Sequence, residues 1–198
     1  MVKELWVKEL WPHQIAAVDA ACAELAEGGQ ARATEVAACG TGKTLIAAEC
    51  SRRLAPTGRV LVLVPTLDLL NQSAHAWALW LGRDAGVMMT VCSDPHSDAD
   101  ARAARAELDE LHAPVSTDPQ TIEQIAVGHG RVTVFATYAS LPAVVAAHAD
   151  WGLPRWDVIV CDEAHRTASA QKWGSVHSDT ALPAHRRLYM TATPRITA

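Results

Sequence analysis

A chain of 198 residues, 49% of them hydrophobic and 20% charged, has the size and composition of one packed domain, which excludes an intrinsically disordered segment. Its formal net charge of -5 excludes a broadly basic nucleic-acid-binding face, so any phosphate contact must be local. No apolar run reaches membrane-spanning length, "MVKELWVKEL" lacks the uninterrupted apolar stretch of a secretory signal, and the chain is therefore expected to be cytoplasmic, with no membrane partner.

Residues 1–11 read as a lead segment, followed by one domain over 12–198. Within the lead, "VKELWVKELW" (2–11) repeats five residues in tandem; that period matches neither helix nor strand and carries no fold information. Residues 13–27 then predict a helix ended by Gly28 and Gly29, and 31–38 a strand. A helix is expected over 42–55, and "RVLVLVP" (59–65) is a nearly continuous apolar strand that must be covered on both sides. Residues 67–81 predict a helix, 85–93 a strand and 117–127 a short helix capped by Thr117 or Asp118, with Pro119 in its first turn. Three more strands are expected over 131–138, 156–164 and 186–193. The alternation predicts an α/β fold of three layers, a mostly parallel sheet flanked by helices on both faces.

Several residues take plain readings. The acidic stretch "CSDPHSDADARAARAELDELH" (92–112) is expected to be a solvated loop and surface helix. Cys22, Cys39, Cys50, Cys92 and Cys161 are odd in number and never two apart, so they read as reduced, mostly buried residues rather than disulfides or a zinc site. His75, His96, His112, His129, His148, His177 and His185 lack metal-ligand spacing and read as scattered surface residues. Trp77 and Trp80 lie three apart on an expected helix and read as core packing.

Chemistry enters at "AACGTGKT" (37–44). Small residues over Ala37, Ala38, Cys39, Gly40, Thr41 and Gly42 let successive backbone N–H groups turn toward a phosphate, and the following helix aims its positive end at the same place. Lys43 can reach the outer phosphates of ATP, and Thr44 can ligate Mg²⁺. A second element is "VIVCDEAH" (158–165), an apolar strand ending in adjacent carboxylates, where ligands lie in an open parallel sheet. Asp162 is placed to hold Mg²⁺ and Glu163 to accept a proton from an attacking water; both also suit the start of a helix.

Together these elements resemble the first motor domain of a superfamily-two DEAD/DEAH-box helicase or translocase. The resemblance covers nearly the whole chain. "LWPHQ" (10–14) is similar to the family's adenine-reading glutamine motif, "AACGTGKT" to motif I and "VLVPTLDLLNQ" (62–72) to motif Ia. "FATYASL" (135–141) is similar to motif Ib, "DEAH" to motif II and "TATP" (191–194) to motif III. The resemblance implies a RecA-like fold in which Gln14 bonds the adenine edge and Lys43 holds the β- and γ-phosphates. It also implies that Thr44 and Asp162 bind Mg²⁺, that Glu163 activates water, and that His165 links the nucleotide to Thr191 and Thr193. Pro65, Thr66, Thr137 and Tyr138 would meet a nucleic-acid backbone through amides and hydroxyls, a mode that needs few lysines; the chain has 13 arginines and four lysines.

"DEAHRT" followed by "RRLYMTATPR" is most similar to the helicase subunits of type I and type III restriction systems and related bacterial DNA translocases. That implies DNA rather than RNA, a second RecA-like lobe beyond these residues, and room for a nuclease or methyltransferase partner subunit. His13 departs from the tyrosine common in relatives, and residues 93–117 match no motif. The alternatives are a phosphate-loop switch without nucleic acid and a nucleotide-binding module with negligible hydrolysis. "VPTLDLLNQ", "ATYASL" and "TATP" weigh against the first, and Lys43, Asp162 and Glu163 against the second.

Overall fold

A computed structural model describes residues 9–92, 111, 113–166 and 171–193. The tandem repeat apart from its last residues, most of the acidic stretch with His96 and His112, and Pro194 lie outside the described residues. The strands are β1 (Arg32–Val36), β2 (Gly58–Val64), β3 (Val87–Val91), β4 (Arg131–Thr137), β5 (Trp156–Cys161) and β6 (Ala184–Thr191). They form one sheet in the order β1-β6-β5-β2-β4-β3, and every pairing is parallel. The helices are α1 (Pro12–Glu24), α2 (Lys43–Leu54), α3 (Leu67–Leu81), α4 (Pro119–Val127) and α5 (Leu141–Trp151).

Period-two alternation sorts each strand between two cores. Val60, Val62 and Val64 face one side with Val158 and Val160, against Ile46 of α2 and Leu70 and Trp77 of α3. Leu61 and Leu63 face the other with Ile159 and Cys161, against Ile122 of α4 and Leu141 and Val144 of α5. The uninterrupted apolar run of β2 thus has helices on both sides, as expected of a central parallel strand. Moves along the sheet from β1 to β2 and from β2 to β3 pass over the first face. The return moves from β3 through β4 to β5 pass over the second. Both obey one crossover hand.

Local chemistry fixes the boundaries. Asp118 caps α4, accepting from Thr121 N at 2.9 Å, with Pro119 at its first position. Thr66 caps α3 through a bond from Leu69 N of 3.3 Å. The expected strand over 85–93 is shorter, because Gly82–Ala85 completes a 3₁₀ turn after α3 and the strand starts at Val87. Helix α5 falls in a segment for which the sequence reading named no helix; Pro142 stands in its first turn, and Gly152, at φ 71, closes it. Trp77 is buried and meets Phe135 edge to face at 5.4 Å. His148 and His177 are not scattered surface residues: both are partly buried, with His148 Nδ1 2.7 Å from Leu153 O and His177 Nδ1 3.1 Å from Tyr189 Oη. All five cysteines are free; Cys50, Cys92 and Cys161 are buried, while Cys39 is exposed.

Candidate functional site

The carboxyl ends of the strands deliver the motif residues to one edge of the sheet. Strand β1 runs into the glycine-rich loop, β2 into Pro65 and Thr66, β4 into Tyr138, β5 into Asp162 and Glu163, and β6 into Thr193. Gly40 and Gly42 take φ values of 81° and 83°, a left-handed backbone that glycine adopts without steric cost. At Gly42 any side chain would also collide with Gln14 Nε2. Thr41 tightens the loop by donating its hydroxyl to Ala38 O at 2.7 Å, and Lys43 Nζ donates to Ala37 O at 3.1 Å and to Ala38 O at 3.3 Å. Lys43, Thr44 and Asp162 line one cavity, backed by Ala47, Trp77 and Met190. Residues from the first and fifth strand ends, over a hundred positions apart in sequence, therefore share one small volume.

The donor set suits a phosphate chain with a divalent cation, with a flexible ammonium, a hydroxyl and a carboxylate beside a loop of small residues at a helix N-terminus. The cavity between them, about 10 Å³, has room for about one water, so a nucleotide would lie over these groups rather than inside it. The Asp162 carboxyl is shifted up from its ordinary value, chiefly by burial and further by the Glu163 charge; the Glu163 N–H and Lys43 oppose the shift. An opposite charge placed against this carboxylate would relieve that burial cost.

The acid pair has an unusual backbone. Glu163 has a φ of 50°, the sole positive value outside glycine among the described residues, and such a conformation persists only where its surroundings enforce it. Its N–H donates to Asp162 Oδ1 at 2.9 Å. Its Oε2 lies 3.2 Å from His165 Nδ1, which is also 3.2 Å from Thr191 Oγ1. Thr191 Oγ1 donates to Thr193 O at 3.1 Å and accepts from Thr193 N at 3.2 Å, so the Nδ1 atom is the donor in the contact with Thr191. The structure thus joins the expected linker His165 to Thr191 and Thr193.

Other expected site residues are placed differently. Gln14 is buried; its Nε2 donates to Thr41 O at 3.0 Å and its Oε1 accepts from Trp11 N at 2.9 Å. The amide expected at an adenine edge therefore braces α1 against the phosphate loop, beside a 3.2 Å contact from His13 Nε2 to the same Thr41 carbonyl. Thr66 is exposed at the sheet edge and Pro65 partly so. Thr137 and Tyr138, expected to meet a nucleic-acid backbone through amides and hydroxyls, have both hydroxyls turned inward. Thr137 is buried, and its hydroxyl accepts from Ser140 N and donates to Ser140 Oγ at 3.0 Å. Tyr138 is 1% exposed, and its hydroxyl donates to Asp162 O at 2.7 Å. The sequence reading missed this internal role, although period-two counting from Val132, Val134 and Ala136 puts Tyr138 on the same buried face. No group of metal-ligating side chains of the His/Cys/Asp/Glu kind occurs among the described residues, and among them no helix is long and apolar enough to cross a membrane.

The family model "Type III restriction enzyme, res subunit" matches residues 7–196. Among solved structures, a nuclease-deletion mutant of the Type ISP restriction-modification enzyme LlaGI, in complex with a DNA substrate mimic, superposes with a TM-score of 0.73 at 28% identity. That match covers 96% of this chain and 18% of that one. The ATP-dependent Type ISP restriction-modification enzyme LlaBIII, bound to DNA, gives 0.75 at 28% identity, covering 94% of this chain and 13% of that one. The UvsW helicase from bacteriophage T4 shares the fold at a TM-score of 0.56 and 18% identity, over 94% of this chain and 53% of that one. The chain thus spans less than a fifth of the two restriction enzymes' length. A search of curated proteins by sequence gives no significant match.

Proposed function

The chain belongs to the type III restriction enzyme res subunit family, and from that membership we propose that it is the ATP-binding first motor domain of a DNA helicase or translocase serving restriction or phage defence. The all-parallel sheet and the family place it among superfamily-two RecA-like domains. The observation that carries the finer reading is the convergence of Lys43, Thr44 and Asp162 on one cavity beside the glycine-rich loop. In this reading Lys43 exchanges its bonds to the loop carbonyls Ala37 and Ala38 for the outer phosphates of ATP, and the loop's N–H groups turn to the same charges.

Thr44 and Asp162 would hold Mg²⁺, which supplies neutralisation of charge on the phosphate oxygens. Glu163, turned by its left-handed backbone, orients the attacking water and accepts its proton. His165, in contact with both Glu163 and Thr191, relays the state of that carboxylate to the end of β6. Partners in this reading are DNA, a second RecA-like lobe beyond these residues, and nuclease or methyltransferase subunits of the same machine. DNA is favoured because the two restriction enzymes matched at 28% identity are described bound to DNA or to its mimic.

The test is ATP hydrolysis and nucleotide binding by this chain, alone and within a longer protein carrying a second lobe, with single- and double-stranded DNA and RNA. Stimulation of the longer protein by DNA is expected. Hydrolysis indifferent to every nucleic acid would favour the switch reading, and no nucleotide binding at all would remove the proposal.

A further inference from the structure

The peptide linking Asp162 to Glu163 is held at both of its polar ends. Its N–H points at the Asp162 carboxylate, 2.9 Å away. Its carbonyl accepts the Tyr138 hydroxyl at 2.7 Å. The next backbone torsion is the φ of 50° at Glu163. Fixing this peptide plane is what a left-handed, non-glycine residue requires, since that conformation is sparsely populated in its absence.

Tyr138 reaches the acid pair from an unexpected direction. It follows β4, and β4 is not a neighbour of β5; β2 lies between them. The phenol ring therefore passes across the end of β2 within the core shared with Leu63, Leu141 and Cys161. Asp162 N donates to Leu63 O at 2.9 Å, so the Asp162 backbone is tied to β2 directly and to the β4 turn through Tyr138. The turn itself is stiff: Thr137 caps Ser140, and Ala139 between them is exposed at the sheet edge.

We propose that Tyr138 is a positioning residue that locks the Asp162–Glu163 peptide and couples the 137–140 turn to the acid pair, so that displacement of this turn, of which only Ala139 is exposed, is felt at the carboxylates. The inference rests on the nucleotide-site reading above. The bond is local to the peptide, so its loss disturbs the cation-holding carboxylate more than the phosphate loop, which hangs from β1 on the far side of β6.

The experiment measures the affinity of a fluorescent ATP analogue for wild type, Tyr138→Phe and Asp162→Asn, each with Mg²⁺ and with excess chelator, alongside thermal unfolding. Phenylalanine keeps the ring and removes the hydroxyl. Tyr138→Phe is expected to retain its affinity in chelator within about twofold and to lose about fivefold of the gain that Mg²⁺ confers, the scale of one hydrogen bond. Asp162→Asn should lose that gain entirely. A merely structural role would lower affinity equally in both conditions or lower only the unfolding temperature, and either result overturns the proposal. Wild-type binding with a Mg²⁺ gain identical in Tyr138→Phe overturns it while leaving the nucleotide site standing. Absence of nucleotide binding by wild type removes both.

Discussion

At the scale of single residues, the cavity makes separable demands. Lys43→Ala removes the only ammonium among the groups lining it, and nucleotide affinity should fall by at least about tenfold in an equilibrium binding assay, the cost of one charged hydrogen bond or more. Glu163→Gln keeps size and hydrogen bonding but not basicity, so binding should persist while hydrolysis falls by about 10² or more in single-turnover measurements. Asp162 titrates with a definite sign. Burial raises its pKa, so the charged form is disfavoured in the fold, and the stability it costs appears as pH rises through the folded value. Cation binding needs that charged form. The Mg²⁺-dependent part of nucleotide affinity should therefore weaken on acidification at a pH above the usual aspartate value of about 3.9, and Asp162→Asn should raise the unfolding temperature while abolishing that part. The meeting of Lys43, Thr44 and Asp162 at one cavity could be anticipated from the sequence because short-range spacing puts each of them just past a strand end. The role of Tyr138 could not: its partner lies across an intervening strand, and no local pattern encodes such a bond.

At the scale of elements, α2 connects the site to the core. Its buried Glu49 accepts from Arg52 Nε at 2.9 Å and Nη2 at 2.6 Å, and from Arg53 Nε at 2.9 Å, and Arg53 continues to Asp19 of α1 at 2.6 Å. These guanidiniums, led by Arg52, hold the Glu49 carboxyl down at about 2. A lowered folded pKa gives stabilisation that is complete above the unfolded value and is lost as pH falls through the folded one. Glu49→Ala should thus cost on the order of 2 kcal/mol in urea unfolding at neutral pH, and the difference from wild type should shrink between the ordinary glutamate range and about pH 2. The far end of α2 is closed by Arg131, which donates to the carbonyls of Ser51 and Ala55 and, at 3.1 Å, to Ser51 Oγ. A cation at a helix C-terminus complements its dipole.

Most elements were legible because apolar periodicity survives in a three-layer fold: α3 spans 67–81 as expected. Helix α5 escaped because "LPAVVAAHADW" is apolar on most sides, so neither a helical stripe nor a strand alternation stands out. Its markers, Pro142 and Gly152, were present but weak alone.

At the scale of the whole molecule, the proposed reading makes these residues one lobe of a two-lobed motor, which would contact a nucleotide from one side only. An arginine supplied from a facing lobe is worth about 10³ to 10⁵ in phosphoryl-transfer rate. The 198 residues should therefore turn ATP over slowly and with little response to DNA in a steady-state assay, and a longer protein with a second lobe should exceed them by orders of magnitude. Robust DNA-stimulated turnover by these residues alone would contradict that division of labour. The fold class was readable from alternation alone; the strand order was not, since alternation specifies crossovers but not which strand takes the margin.

That order has a consequence for how the protein comes into being. Strand β1, which carries the phosphate loop, pairs with β6 and with no other described strand. The ribosome makes β1 first and β6 last, so for most of synthesis the loop's own strand has nowhere to dock. Contacts so distant in sequence form late because closing the loop between them must precede any gain. The central sheet of this domain therefore forms well before its glycine-rich loop is seated, and the proposed nucleotide site should be completed late in the folding of the domain.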